Sequence, residues 1–153
     1  MTPRAPSVPV RNSTPGTSGA SLVEFAIMMP FLILLLFGMI EFAWLFATNL
    51  DVRHGAREAA RQAATDDLSN PATPQIDICN LLDLANRTST KVSISRSGTT
   101  IGAGITVTAD AEAETLTGLL DWLVPSSARL TSTVTLRLEQ APSWTPVSAV
   151  SCP

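Results

Sequence analysis

Residues 25–48 read FAIMMPFLILLLFGMIEFAWLFAT, and this stretch decides the fold. Phe25 through Ile40 carries no charged side chain; Glu41 interrupts, and Phe42–Ala47 resumes the apolar run. As a helix rising about 1.5 Å per residue, Phe25–Thr48 spans about 36 Å, against about 30 Å for the hydrocarbon core of a bilayer. The alternative is the buried core helix of a soluble protein. It fits poorly, because a helix apolar on every face needs more surrounding chain than 153 residues leave for it. The sequence therefore predicts one membrane-spanning helix over Phe25–Ala47.

Composition narrows the chemistry. Ten Lys+Arg against 13 Asp+Glu give a formal net charge of −3, which excludes a basic nucleic-acid binder. Charged residues make up 15% of the chain, below the roughly 25% of soluble domains. One His and two Cys are too few for a tetrahedral zinc site, and no metal or cofactor is expected. His54 stands without a Ser or Cys nucleophile at a readable distance, so no catalytic residue is assigned and an enzyme is the least favoured class.

Working outward, residues 1–19 hold prolines, glycines and Ser/Thr with only Arg4 and Arg11 charged; they read as a flexible leader. Beyond the apolar run, DVRHGAREAARQAAT (51–65) repeats Ala56, Ala59, Ala60, Ala63 and Ala64 at spacings of three and four. Arg53, Arg57 and Arg61 fall on one face, with Glu58 in reach of Arg57 or Arg61. The helix is thus expected to continue to about Ala64, with Gly55 a weak point. Residues 20–65 form the anchor and its extension. Asp66-Asp67, Ser69-Asn70-Pro71 and Pro74 end it.

Residues 66–153 read as a small α+β domain, so the fold class is a long N-terminal transmembrane helix followed by an antiparallel-sheet domain with short helices. QIDICNLLDLAN (75–86) predicts a helix with Ile78, Leu81, Leu82 and Ala85 inward, and Thr115–Val124 a second one, ended by Pro125. Strands are expected near 91–96, 101–111 and 129–139, where apolar residues alternate with polar ones. Gly102-Ala103-Gly104 marks a bulge or close backbone approach, and the closing APSWTPVSAVSCP reads as an irregular tail.

The N-terminal side of the span carries the most information. Gly19-Ala20-Ser21 is a small-residue stretch offering a protease an extended, unencumbered backbone, and Glu24 is a carboxylate at the edge of an apolar helix. Were the bond after Gly19 cut, the new amine of Ala20 would lie near Glu24 and offset its burial. A plain polar boundary of a membrane helix is the other reading. Gly19, then Glu24-Phe25 and a long apolar helix, resembles the processing site of type IV prepilins and pseudopilins. VEFAIMMPFLILLLFGMIEFAWLF followed by AREAAR resembles, more closely, the TadE-like family of tight-adherence (Flp) pilus systems, through Val23-Glu24-Phe25, Pro30, Gly38, Glu41-Phe42 and Ala56–Arg61.

That resemblance implies a minor pseudopilin of the bacterial inner membrane, single-pass, with its C-terminal domain outside the cytoplasm. It implies processing at Gly19, Ala20, Glu24 and Phe25 by a prepilin peptidase. The other partners it implies are membrane lipid, pilin or pseudopilin subunits and the pilus assembly machinery. Glu24, Pro30, Gly38 and Glu41 are assigned to helix packing in that assembly. Pro30 removes a backbone donor and favours a packed helix over a lone one; Glu41, beside Trp44, either pairs in the assembly or snorkels to the interface. Cys79 and Cys152 are proposed as a disulfide worth about 4 kcal/mol in an oxidising compartment, with two unrelated thiols as the alternative. A membrane-tethered extracytoplasmic binding module with no pilus role, and a domain released by signal peptidase, are the competing functions.

Overall fold

The computed structural model describes residues 17–118, 121–122, 124–125 and 127–153. Most of the leader, through residue 16, lies outside them. Helix α1 runs from Thr17 to Ala64 and continues through Pro30. The chain divides into two compact units, one ending at Phe37 and the other comprising Gly38–Pro153. In the first, every residue from Gly19 to Phe37 is exposed. Leu, Ile, Phe and Met crowd that surface with no polar face opposite, the pattern of a helix solvated by lipid.

The second unit holds the rest of α1, a short helix α2 (Pro74–Asn80), a 3₁₀ turn at Arg87–Ser89 and four strands: β1 (Lys91–Arg96), β2 (Gly104–Glu112), β3 (Arg129–Arg137) and β4 (Val147–Ser151). The strands form one antiparallel sheet in the order β3-β2-β1-β4. Ile94 on β1 lies opposite Val107 on β2, which lies opposite Val134 on β3, so one face of the sheet is continuous apolar surface. Ile105, Val107, Ala109 and Ala111 alternate with part-exposed Thr106, Thr108 and Asp110, the period of two that the sequence carries. These residues join Val52, Ala56, Ala59, Ala60, Ala63 and Ala64 of α1 in a single buried cluster. The arginines at 53, 57 and 61 are exposed, so the Ala/Arg division of the helix is a core/solvent division. Alanine methyls bury little area each, and Ile, Val and Leu side chains from the sheet and α2 supply most of the apolar burial.

The C-terminal end of α1 shows why it stops where it does. Four carbonyls at a helix end lack intrahelical partners, and here each finds one. The Thr65 N–H donates to Arg61 O at 3.1 Å and the Asp67 N–H to Gln62 O at 2.9 Å. The Trp144 indole donates to Ala63 O at 3.0 Å, and the Glu139 and Gln140 N–H groups both donate to Ala64 O, at 2.9 and 3.3 Å. Asp66 takes the left-handed conformation (φ 55°) needed to turn the chain. Its carboxylate accepts the N–H and hydroxyl of Ser143. Trp144 is fully buried, with the Arg96 guanidinium 4.9 Å from its ring centroid. Cys79 and Cys152 are joined, tying α2 to the residue after β4 with Cα atoms 5.7 Å apart.

Several expectations need correction. The closing segment is not an irregular tail: it caps α1 and adds β4, a fourth strand. Its apolar residues hide their period because a register shift between Val92 and Ile94 pairs β1 with Val150 and Val147, three apart rather than two or four. The helix expected over 75–86 stops at Asn80. Leu81 and Leu82 fall into tighter bonds to Ile78 and Cys79, and the Asp51 carboxylate captures the N–H groups of Asp83, Leu84 and Ala85. The second strand begins at Gly104, not 101. Residues 101–102 turn instead, with Gly102 at φ 87° donating its N–H to Leu138 O at 2.8 Å. The helix expected at Thr115–Val124 is replaced, among the described residues, by bends and a turn. Gly118 at φ 74° is incompatible with a right-handed helix; Leu119, Leu120 and Leu123 lie outside the described residues.

Candidate functional site

Gly19, Ala20, Glu24 and Phe25 sit in the first turns of α1, all exposed. The extended backbone expected at Gly19 is instead helical, because helix formers from Ala20 onward meet no proline before Pro30. Ala20 and Glu24, four residues apart in α1, share one face a turn apart. A methyl group built on Gly19 or on Gly38 meets no heavy atom within 4 Å. Among the described residues nothing fills these positions, so both are open to a neighbour. Pro30 stands within α1 among exposed side chains.

Glu41 is placed differently. Its side chain is fully covered, and its carboxylate accepts the N–H groups of Leu116 and Thr117, each at 2.7 Å, together with the Thr117 hydroxyl. The sequence put Glu41 at the edge of the apolar run, where it either pairs or snorkels; the partners here belong to its own chain. No local signal announces them, because donor and acceptor are 75 and 76 residues apart. Asp51 is a second acidic residue of α1 with a remote task, holding the turn after α2.

Gly55 also changes meaning. A Cβ there would lie 2.6 Å from Leu82 Cδ2 and 3.2 Å from Leu81 O. The residue the sequence marks as a weak point in the helix is where the turn after α2 comes closest to it. Farther along, Glu58 is paired with Arg61 at 2.6 Å and accepts from Gln62 at 3.2 Å. The Arg61 guanidinium, with help from Gln62, outweighs partial burial and holds the Glu58 carboxyl below its ordinary 4.5. On the sheet, Arg129 bridges Asp110 at 2.6 Å and Glu112 at 3.2 Å, locking the β2–β3 edge.

From Phe25 to Ile40 the helix thus presents an uninterrupted apolar surface with a glycine open to neighbours, and the charged residue that ends this run, Glu41, is satisfied from within. Such an arrangement suits insertion in a bilayer and packing with other helices; one N-terminal apolar helix of this length fits single-pass anchoring. Neither the curated proteins nor the solved structures yield a match. The family comparison does: residues 19–61 match the family described as TadE-like protein, so the chain carries a TadE-like region from Gly19 to Arg61.

Proposed function

We propose that this protein is a membrane-anchored, pseudopilin-like subunit acting in assembly of a tight-adherence (Flp-type) pilus or a related secretion apparatus. The observation that carries the reading is that the TadE-like match, residues 19–61, covers the apolar surface and its alanine-faced extension. The role is structural rather than enzymatic: the apolar helix packs with helices of other subunits, and the sheet domain is carried outside the cytoplasm. The Cys79–Cys152 disulfide supports that side of the inner membrane, since such bonds persist in oxidising compartments.

In this reading a prepilin peptidase cuts after Gly19. The site lies in the first turn of α1, whose N–H groups lack intrahelical partners, so opening it breaks few bonds. The new α-amine on Ala20, with an ordinary pKa of about 8, is cationic at neutral pH and faces Glu24 one turn away. It neutralises that carboxylate when neighbouring helices draw both out of water.

Intact mass and N-terminal sequencing of membrane-extracted protein test the cleavage. The expected N-terminus is Ala20, and Gly19→Phe blocks it while leaving insertion intact. An N-terminus elsewhere removes the processing assignment. Complementation tests assembly: Glu24→Leu inserts normally and fails to assemble, whereas wild-type assembly by that variant leaves the carboxylate without an assembly role.

A further inference from the structure

We propose that Leu116 and Trp122 form a second membrane-contact surface, resting on the zwitterionic headgroup layer where α1 leaves the bilayer; the proposal rests on the single-pass reading above. Glu41 is the first charged residue after the run Phe25–Ile40, and it lies near the outer end of the span, which closes at Ala47. The Leu116 and Thr117 N–H groups are tied to that carboxylate at 2.7 Å each, which fixes this part of the loop at the helix position bordering the lipid. Leu116 is 52% exposed and Trp122 80% exposed. Immediately past Glu41 on α1, Phe42 and Phe46 are also exposed and stack at 6.5 Å. Exposed aromatics just past Glu41 on α1, with an exposed leucine tied to Glu41 and an exposed Trp six residues farther along the chain, match the interfacial preference of Trp, whose ring is apolar and whose N–H stays wet.

Charge selects the lipid. From Glu112 to Pro125 the chain contains Glu112, Glu114 and Asp121 and no Lys or Arg. Glu112 is paired with Arg129, Glu114 accepts from Asn86, and Asp121 accepts from the Thr115 hydroxyl. The carboxylates are satisfied yet leave the loop without a cation, so anionic headgroups repel it and zwitterionic ones do not. An apolar contact on a neutral interface remains.

The test uses the full chain in phosphatidylcholine vesicles. Both native cysteines are in the disulfide, so a nitroxide attaches only to an introduced cysteine: Leu116→Cys on the loop, Leu34→Cys in the apolar run, or Ser148→Cys on β4. Accessibility to oxygen and to a water-soluble nickel chelate reports depth. The label at 116 is expected to show nickel accessibility several-fold below that at 148. It should return toward the 148 level with Trp122→Ala, or as phosphatidylglycerol replaces phosphatidylcholine. Equal nickel accessibility at 116 and 148, with the label at 34 shielded, overturns the loop proposal while leaving the anchor intact. Shielding at 116 from both reagents only at high protein-to-lipid ratio assigns the surface to a second copy and also overturns it. A nickel-accessible label at 34 removes the anchor reading itself, and the loop proposal with it.

Discussion

Residues 20–37 and residues 52–64 belong to the same helix, α1, yet their surroundings are opposite. In the first stretch every residue is exposed and nearly every side chain is apolar. In the second, the alanines and Val52 are buried against the sheet while the arginines face water. The first stretch shows no pattern because its solvent is expected to be uniform; the second shows a stripe because protein covers one side and water the other. Helical structure is common to both, and packing separates them. Substitutions at 52–64 should therefore register in the stability of the sheet domain, whereas substitutions at 20–37 should register in insertion and assembly.

The largest effect expected on the domain side comes from Trp144→Ala. It removes the largest buried side chain, leaves Ala63 O without its donor and strips Arg96 of its ring. Large-to-small changes at such a site cost about 5 kcal/mol. Thermal unfolding of the full chain in detergent micelles, followed by the sheet signal in circular dichroism, should show the domain near collapse with the helical signal of residues 20–37 retained. A wild-type transition would mean that α1 is not held from this end. Next is removal of the Cys79–Cys152 bond by Cys79→Ser with Cys152→Ser. Closing a loop of 73 residues contributes about 4 kcal/mol in the chain-entropy model. The same transition should fall in temperature by a somewhat smaller step, and dithiothreitol should lower the wild type to match.

A paired substitution sharpens the contrast further. Gly55→Ala gains up to about 1 kcal/mol of helix propensity but places a methyl group 2.6 Å from the buried Leu82 side chain and 3.2 Å from the Leu81 carbonyl. Overpacking costs about 1–3 kcal/mol, so the net change is destabilising by about 1 kcal/mol. Gly38→Ala has the same propensity gain and meets nothing within 4 Å, so it should leave unfolding unchanged or raise its midpoint. Equal effects at the two glycines would erase the distinction.

How much of this was legible depended on whether the deciding contacts were local. The α1 stripe, β1, β2 from Gly104 onward, and β3 were readable because period, burial and element length agreed over many residues. The apolar run was readable for the same reason. What escaped detection was made by distant partners. Glu41 looked like a boundary carboxylate because its donors, Leu116 and Thr117, lie in a segment whose leucines read as a helix. Trp144 sat between Pro142 and Pro146 in a polar stretch, where proline argued for irregularity and nothing pointed back to Ala63. β4 was disguised by a register shift. Gly55 was read by propensity alone, which is blind to the turn packed on it. Of the candidate site, Gly19–Phe25 stands out in the sequence as a motif whose proposed chemistry awaits the cleavage and complementation tests, while the intramolecular engagement of Glu41 required coordinates.

The smallest effect concerns the solvated face of the second stretch. Glu58 and Arg61 form an ion pair on that face, with the guanidinium largely exposed. Because Arg61 holds the Glu58 carboxyl below its ordinary 4.5, the folded form binds a proton there less readily than the unfolded chain does. By linkage, the resulting stabilisation is fully present above the unfolded value and disappears as pH falls through the lower folded value. Glu58→Gln should therefore lower the unfolding midpoint slightly at pH 7, by an amount that shrinks as the pH is taken progressively below 4.5. Because Arg61 is exposed and Glu58 partly so, added salt should shrink even the neutral-pH difference. A large loss at pH 7, or a difference that persists in strong acid, would mean that the arginine face is not merely solvated. The two faces of α1 beyond Val52 would then both contribute to holding the domain, contrary to the division between a packed alanine stripe and a wet arginine stripe.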